Sequence, residues 1–552
     1  MNHELQRIAN IPREAWNPTE WNALEAPLRR PGCSVDLFEI QKRSLLQIAR
    51  CTGGNIYLGI GRGKSYVALL SGAVLRASRV LVFTEGSARD GARAQMDEQL
   101  RFLSTQYYLQ PTRVCSYSEL SIKRSAYMLE NEYQQHAGRI VIAFDECHNL
   151  RALDKGGRPS TRTSRVYEFA HKHPEVPIIM LTGTPFGEYL VDAAHLAEIA
   201  TREWSPLPHE GTQVYTSLKN IFAGTPMTGD WNPVASIVTG CLDIETRKQR
   251  VAGWFVDKLS DCAGTITDFS EFSDVPLIIH RIYDVNVPDI VRTAKRRFDT
   301  GELVPTQEPQ LSASSLSVAK RRCESGFYYE WIWPDAPDLE WLFARRGWAR
   351  QVTRELQDNR APGYDSELLI AHSVRHAMES RKPRTALERA WCDWTQHLHK
   401  PCPDVAPVWI SDYLIEHAVA LAREHNAIIW YEDRAIAFAL AQRMETVFSG
   451  QSFSKNFARP IALSRPSHGT GLNLQAWSNA VYLQFPGRPV AWQQSLGRNH
   501  RTGQTQPVTA WVYTHAEMHE KAFDRAIERA TNLELQSREP QRLLQGLRNT
   551  QA

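Results

Sequence analysis

Ile140-Val141-Ile142-Ala143-Phe144-Asp145-Glu146-Cys147-His148 is an unbroken apolar run that stops at two adjacent carboxylates. Five apolar residues without alternation are the pattern of a strand buried on both faces, as in a parallel sheet covered by helices. At the carboxyl end of such a strand, side chains project into the crevice where open α/β sheets bind ligands. Asp145 is placed there to hold a divalent cation, largely through water, and Glu146 to orient and deprotonate an attacking water. Standing alone, the pair would read as a solvated acidic turn, so its neighbours decide.

The deciding neighbour lies upstream. Ile56-Tyr57-Leu58-Gly59-Ile60-Gly61-Arg62-Gly63-Lys64-Ser65 leads from an apolar strand into a helical pattern, Tyr66–Leu75. Gly61 and Gly63 allow the backbone to turn its N–H groups toward an anion, and the helix N-terminus adds partial positive charge. Arg62 belongs to the same loop. Lys64 can reach the β and γ phosphates of a nucleotide, and Ser65 offers a hydroxyl to Mg²⁺. The full phosphate-loop pattern has Gly at position 58, where this chain has Leu.

Outward from these motifs, two blocks alternate short apolar runs with helical patterns. The first, residues 35–204, has strand candidates Asn55–Ile60, Arg79–Thr84, Ile140–Phe144 and Pro177–Thr182. The second, residues 403–515, has Ala427–Tyr431, Pro460–Leu463, Ala480–Phe485 and Val508–Tyr513, preceded by a helical pattern over Trp409–Glu424. Residues 1–34 form an N-terminal extension, 205–290 a connector, 291–402 a largely helical Trp- and Arg-rich insert, and 516–552 a C-terminal helix expected on the second block. The fold class is therefore α/β, two parallel-sheet units in tandem.

Asp145-Glu146-Cys147-His148 resembles motif II of superfamily 2 helicases in its DEAH/DECH form, and the remaining motifs of that family can be matched in order. Leu37-Phe38-Glu39-Ile40-Gln41 resembles the segment carrying the adenine-reading glutamine, here Gln41. Val80–Thr84 resembles motif Ia and Ser116-Tyr117-Ser118-Glu119-Leu120 motif Ib; Leu181-Thr182-Gly183-Thr184-Pro185 resembles motif III. In the second block Ser464–Leu474 resembles motif V, with His468 where relatives often have Gly. Gln494-Ser495-Leu496-Gly497-Arg498-Asn499-His500-Arg501-Thr502-Gly503-Gln504 fits motif VI in the form of the Swi/Snf-like branch. The resemblance covers about residues 36–514, apart from about 290–400.

It implies two RecA-like lobes that hydrolyse ATP with Mg²⁺ in the cleft between them. Gln41, Gly61, Arg62, Gly63, Lys64, Ser65 and Gly471 would bind nucleotide; Ser65 and Asp145 would hold the metal. Lys64, Asp145, Glu146, Gln494, Arg498 and Arg501 would carry catalysis. The two arginines, three apart and on one face if the segment is helical, would act as fingers worth roughly 10³–10⁵ in rate. Thr84, Ser116, Tyr117, Thr182, Thr184, Thr470 and Asn473 would contact nucleic acid, with DNA and its duplex form favoured.

Composition sets the outer limits. A net charge of +3 from 64 Lys+Arg and 61 Asp+Glu means that any basic footprint must be local. Nine singly placed cysteines with no C-x-x-C pair exclude a zinc ribbon and fit a reducing compartment. The first residues hold no apolar leader, and no run reaches the ~20 apolar residues of a membrane helix, so a cytoplasmic protein with no membrane partner is expected. Residues 292–389 hold 17 Lys/Arg and 14 Asp/Glu together with Trp331, Trp333, Trp341 and Trp348, and Trp391 and Trp394 lie at the same segment's end. That segment reads either as a small tryptophan-cored helical domain or as a stacking clamp for nucleic acid, and it leaves room for a protein partner. A non-catalytic scaffold with a degenerate ATPase fold, and the motor subunit of a nuclease or restriction complex, remain open as alternatives. So do DNA against RNA and strand separation against translocation.

Overall fold

In the computed structural model the described residues are 2–59, 61–84, 92–121, 127–150, 160–187, 189–223, 232–269, 273, 275–306, 311–358, 367–378, 382–449, 451, 459–469, 472–501 and 503–551. The protein is α/β, with two sheets of six parallel strands. The first is built from β1 (Gly54–Leu58), β2 (Arg79–Thr84), β3 (Thr112–Ser116), β4 (Ile140–Asp145), β5 (Ile178–Thr182) and β6 (Thr265–Asp268), in the order β3-β2-β4-β5-β1-β6. All neighbours are parallel, and Asp145 of β4 is level with Leu181 of β5.

The period of two decides which side chains meet which helices. Ile56, Leu58, Val80, Val82, Val141, Ala143, Ile179 and Leu181 point to one core, shared with helices Glu39–Cys51 and Lys64–Val74. Leu81, Phe83, Ile140, Ile142, Phe144, Ile178 and Met180 point to the other face. Both faces are filled, which is why these strands read as continuous apolar runs. The helix after β1 begins at Lys64 itself, two residues before the apolar pattern that announced it.

The chain then passes from β6 to β7 (Leu277–Ile282), which joins the second sheet. A small antiparallel pair follows, β8 (Phe327–Ile332) with β9 (Asp404–Trp409). The second sheet adds β10 (Ile428–Tyr431), β11 (Thr446–Val447), β12 (Ile461–Ser464), β13 (Asn479–Tyr482) and β14 (Val508–Tyr513), in the order β11-β12-β10-β13-β14-β7. Its faces again alternate: Ile428, Trp430, Leu463, Tyr482 and Val512 to one side, Ile429, Tyr431, Ala462, Val481 and Tyr513 to the other. The two edge strands β6 and β7 both fall in the stretch read from sequence as connector.

Between β7 and β10 the chain forms helices Asp289–Asp299, Ala313–Glu324, Leu339–Asp358, Glu367–Met378 and Ala386–Thr395 around β8 and β9. Trp341, Trp348 and Trp394 are buried in one cluster, with Trp331, Trp333 and Trp391 packed against it. Arg345 is 2% exposed and pairs with Glu367, Nη1 to Oε1 at 2.5 Å, while Trp348 Nε1 donates to the same oxygen at 2.6 Å. These tryptophans are a core, and Arg345 is an internal ion-pair partner. A stacking clamp made of them is not what the fold presents.

A second buried polar cluster fastens this region to the second sheet. His519 Nδ1 lies 3.3 Å from Glu324 Oε2, and its Nε2 lies 3.3 Å from Ser325 Oγ. The order of groups is that of a Ser–His–acid triad. Ser325 and His519 are each 1% exposed, however, so no substrate reaches them and the arrangement is a fastener. Burial pushes His519 and His515 down to about 3 and Glu324 up to about 7.

The stretch 516–552, read from sequence as one C-terminal helix, is two helices, Glu517–Ser537 and Arg542–Gln551, parted at Arg538 with its φ of 53°; the first packs on the second sheet through Phe523, Ala526 and Ala530. It also reaches past that sheet: Leu533 enters the core around helix Ile244–Asp261, and Gln536 Oε1 accepts from Leu190 N at 3.4 Å. Among the described residues no helix is long and apolar enough to cross a membrane.

Candidate active site

β1 and β4 are separated only by β5, so their carboxyl ends open onto one crevice. After β1 the chain turns through Gly61 (φ 88°) and Gly63 (φ 72°) into the helix whose first residue is Lys64. Glycine suits position 63: its φ of 72° is one that L side chains rarely adopt, and a Cβ there would stand 1.9 Å from Gln41 Nε2, which would have to move. Gln41 is tied in turn, its Nε2 donating to the carbonyls of Arg62 (3.4 Å) and Gly63 (3.3 Å) and its Oε1 accepting from Phe38 N. Arg62 Nη2 stands 3.5 Å from Asp268 Oδ1 at the end of β6. The loop is thus braced on both flanks.

Lys64 is 8% exposed. Its ammonium donates to Leu58 O (3.0 Å) and Gly59 O (3.4 Å) and lies 3.8 Å from Glu146 Oε1. Glu146 has a φ of +55°, a left-handed conformation unusual for a carboxylate residue and a sign of local constraint. Thr182 Oγ1, from the end of β5, donates to Glu146 Oε2 at 3.2 Å, and His148 Nδ1 lies 3.3 Å from the same oxygen. Burial by itself would raise the Glu146 carboxyl; Lys64, His148 and Arg498 outweigh it and hold Glu146 far below the usual carboxylate range. Asp145 is 9% exposed, and its carbonyl accepts from Tyr117 Oη at 2.9 Å. Ser65 opens the same helix one residue on, partly buried.

The second sheet contributes across the crevice. Gln494, on helix Pro489–Leu496, places its Nε2 3.2 Å from His148 Nε2. With the amide donating, that ring nitrogen accepts. The helix stops at Leu496, so Arg498 and Arg501 sit on the turns beyond it and not on one helical face. Tertiary hydrogen bonds take over there: Asn499 Nδ2 donates to Leu474 O and Trp477 O, and Arg498 Nε donates to Gly469 O at 2.9 Å. Arg498 is therefore anchored to its own half while its charge acts on Glu146. Among the described residues the Arg501 guanidinium makes no hydrogen bond or ion pair, and burial depresses it with no carboxylate opposing.

The expected nucleic-acid contacts divide. Thr84 and Thr184 are 1% and 2% exposed at strand ends. Tyr117 is 2% exposed, packed against Phe83 and Phe144, and supports Asp145 from below. Ser116 caps the turn that follows β3, accepting from Ser118 N. Thr182 belongs to the carboxylate network just described. Asn473 is partly buried and folds its amide onto Gln475. Thr470 and Gly471 lie outside the described residues. His148 was quoted in its motif without a role, and it meets Gln494 of the second half at the crevice; its position two residues after Glu146 was the available signal. No model of a known protein family matches the chain, and no curated protein matches it in sequence.

Proposed function

We propose that this chain is an ATP-driven motor on nucleic acid, with two RecA-like lobes that hydrolyse ATP in the cleft between them. One observation carries the proposal above all: Gln494, on a helix of the second half, contacts His148, whose ring also meets Glu146 beside the lysine of the phosphate loop. An ammonium, a carboxylate and guanidiniums converging from both halves suit a triphosphate better than any uncharged ligand.

The residues fit a nucleotide with magnesium. Gly61 and Gly63 leave the loop backbone free of side chains where phosphate oxygens would approach. Lys64 would exchange its bonds to the Leu58 and Gly59 carbonyls for the β and γ phosphates. Among the described residues no three His, Cys, Asp or Glu side chains could hold a metal alone. Mg²⁺ is commonly held by one carboxylate, a hydroxyl and the nucleotide's own oxygens, so Asp145 and Ser65 would suffice. When bound, the ion would offset the charge of the transferring phosphoryl group.

Glu146, ionised and fixed by Thr182 and His148, would orient the attacking water. Movement of Lys64 onto phosphate would lift one of the charges that hold Glu146 down and raise its proton affinity. Arg501 would complete the charge on the γ-phosphoryl side. Because Gln494 touches His148, a change at the phosphate site is felt in the second half, and a difference in closure between nucleotide states would shift a grip along the track. The grip would be mostly on backbone phosphates, with duplex DNA favoured.

ATP hydrolysis measured side by side with duplex DNA, single-stranded DNA, RNA and no nucleic acid tests this. Stimulation by at least one polymer, duplex DNA foremost, is expected. Absence of turnover under all four conditions would replace the motor by a non-catalytic scaffold.

A further inference from the structure

We propose that Arg321, on the helix Ala313–Glu324 outside both six-stranded sheets, is a contact for a backbone phosphate of the nucleic acid. It rests on the motor function proposed above. The carboxyl ends of β10, β12 and β13, adjacent in the second sheet, carry Glu432 and Asp433, Arg465, and Gln484 with Phe485. Two guanidiniums satisfy the two acids. Arg322 reaches Asp433 with Nη2 to Oδ1 at 2.7 Å and Nε at 3.0 Å, and Arg465 Nε donates to Glu432 Oε1 at 2.7 Å. Gln484 locks the arrangement, its Oε1 accepting from Glu432 N and Asp433 N at 2.7 and 2.8 Å.

Arg321 is left over. It neighbours Glu432, Asp433, Arg322 and Arg465, yet among the described residues its guanidinium forms no hydrogen bond or ion pair. Its carbon lies 5.9 Å from the centre of the Phe485 ring. Three arginines against two carboxylates leave one positive charge at strand ends, where ligands of parallel sheets gather. Arginine is matched to phosphate in both charge and geometry: its N–H groups form a planar fork for two oxygens, and its face stacks on an aromatic ring. Phosphodiester backbone is the anion that a motor must grip repeatedly without reading sequence.

The purified full-length chain and its Arg321→Gln and Arg321→Lys variants should be titrated onto a labelled duplex, a single strand and an RNA over a salt series. Arg321→Gln is expected to weaken binding about tenfold at low salt. It should also lower the slope of log K against log salt by about one unit. Arg321→Lys should keep the slope. Basal hydrolysis without nucleic acid should be unchanged in both. Wild-type affinity and slope in Arg321→Gln would overturn the contact alone. If the wild-type chain bound none of the three polymers, the motor function itself would fall, and the contact with it.

Discussion

Charged groups crowd the strand ends of both sheets, but they are treated oppositely. At the first sheet nearly every charge has a partner of its own: Lys64 with Glu146 and two carbonyls, Arg62 with Asp268. At the second, Arg501 and Arg321 stand without any among the described residues. An anion entering the first site must displace interactions already made, so part of what it gains is offset. An anion meeting the second finds guanidiniums that are partly buried and have no carboxylate to give up. The first half is therefore suited to holding a reactive arrangement in register, and the second to responding when a negative ligand arrives.

The widest effect should come from removing the ammonium that the first site is organised around. Lys64→Ala is expected to abolish hydrolysis, and Glu146→Gln to leave ATP binding intact while stopping turnover. Wild-type rates in either variant, measured by phosphate release, would break the comparison at its first term. Arg501→Ala should cost roughly 10³ in hydrolysis rate while leaving the melting temperature unchanged, since no internal partner is orphaned. A fall in stability without a fall in rate would mean that Arg501 is a structural group after all.

A paired arginine should behave in the opposite way. Glu367→Ala strands the buried Arg345 and is expected to destabilise the protein by about 3–5 kcal/mol, read as a lower denaturant midpoint, with basal hydrolysis per folded molecule preserved. The smallest effect is a dependence on pH. His515 and His519, held at about 3 from an ordinary 6.5, are neutral in the fold, so the stability they give is present above pH 6.5 and lost below it. Glu324, raised from 4.5 to about 7, works in reverse, giving stability below pH 4.5 that is lost as pH rises toward 7. Two groups oppose one between pH 6.5 and 4.5, so stability should decline on acidification, and more steeply below 4.5. A flat denaturation midpoint from pH 7 to 5 would contradict this.

Much of the fold was legible because double-sided burial leaves a plain mark. β1, β2, β4, β5, β10, β12, β13 and β14 all fall within three residues of apolar runs visible in the chain. The strands that escaped are edges or near-edges. β3 and β6 each carry polar or charged residues, such as Arg113 and Asp268, β7 ends in His280 and Arg281 before its last Ile282, and β11 has two residues. A half-covered strand has no need of a continuous apolar run. At the site, the lysine and carboxylates could be read from spacing, whereas the Gln494–His148 contact depends on how two sheets are set against each other. Tyr117 was expected at nucleic acid because its segment resembles motif Ib; the aromatic faces of Phe83 and Phe144 that enclose it come from two other strands. Arg498 and Arg501 would have shared a face had their segment been helical, but the helix ends at Leu496 and hydrogen bonds from Arg498 and Asn499 take over.

The long helix Glu517–Ser537 has a mechanical consequence. Its 21 residues make a rod of about 30 Å, seated on the second sheet along its middle and wedged at its far end beside Leu190 and helix Ile244–Asp261. A rod fixed at both places sets a maximum separation for the halves. The helix is thus a second tie between the halves, besides the one from Gln494 to His148.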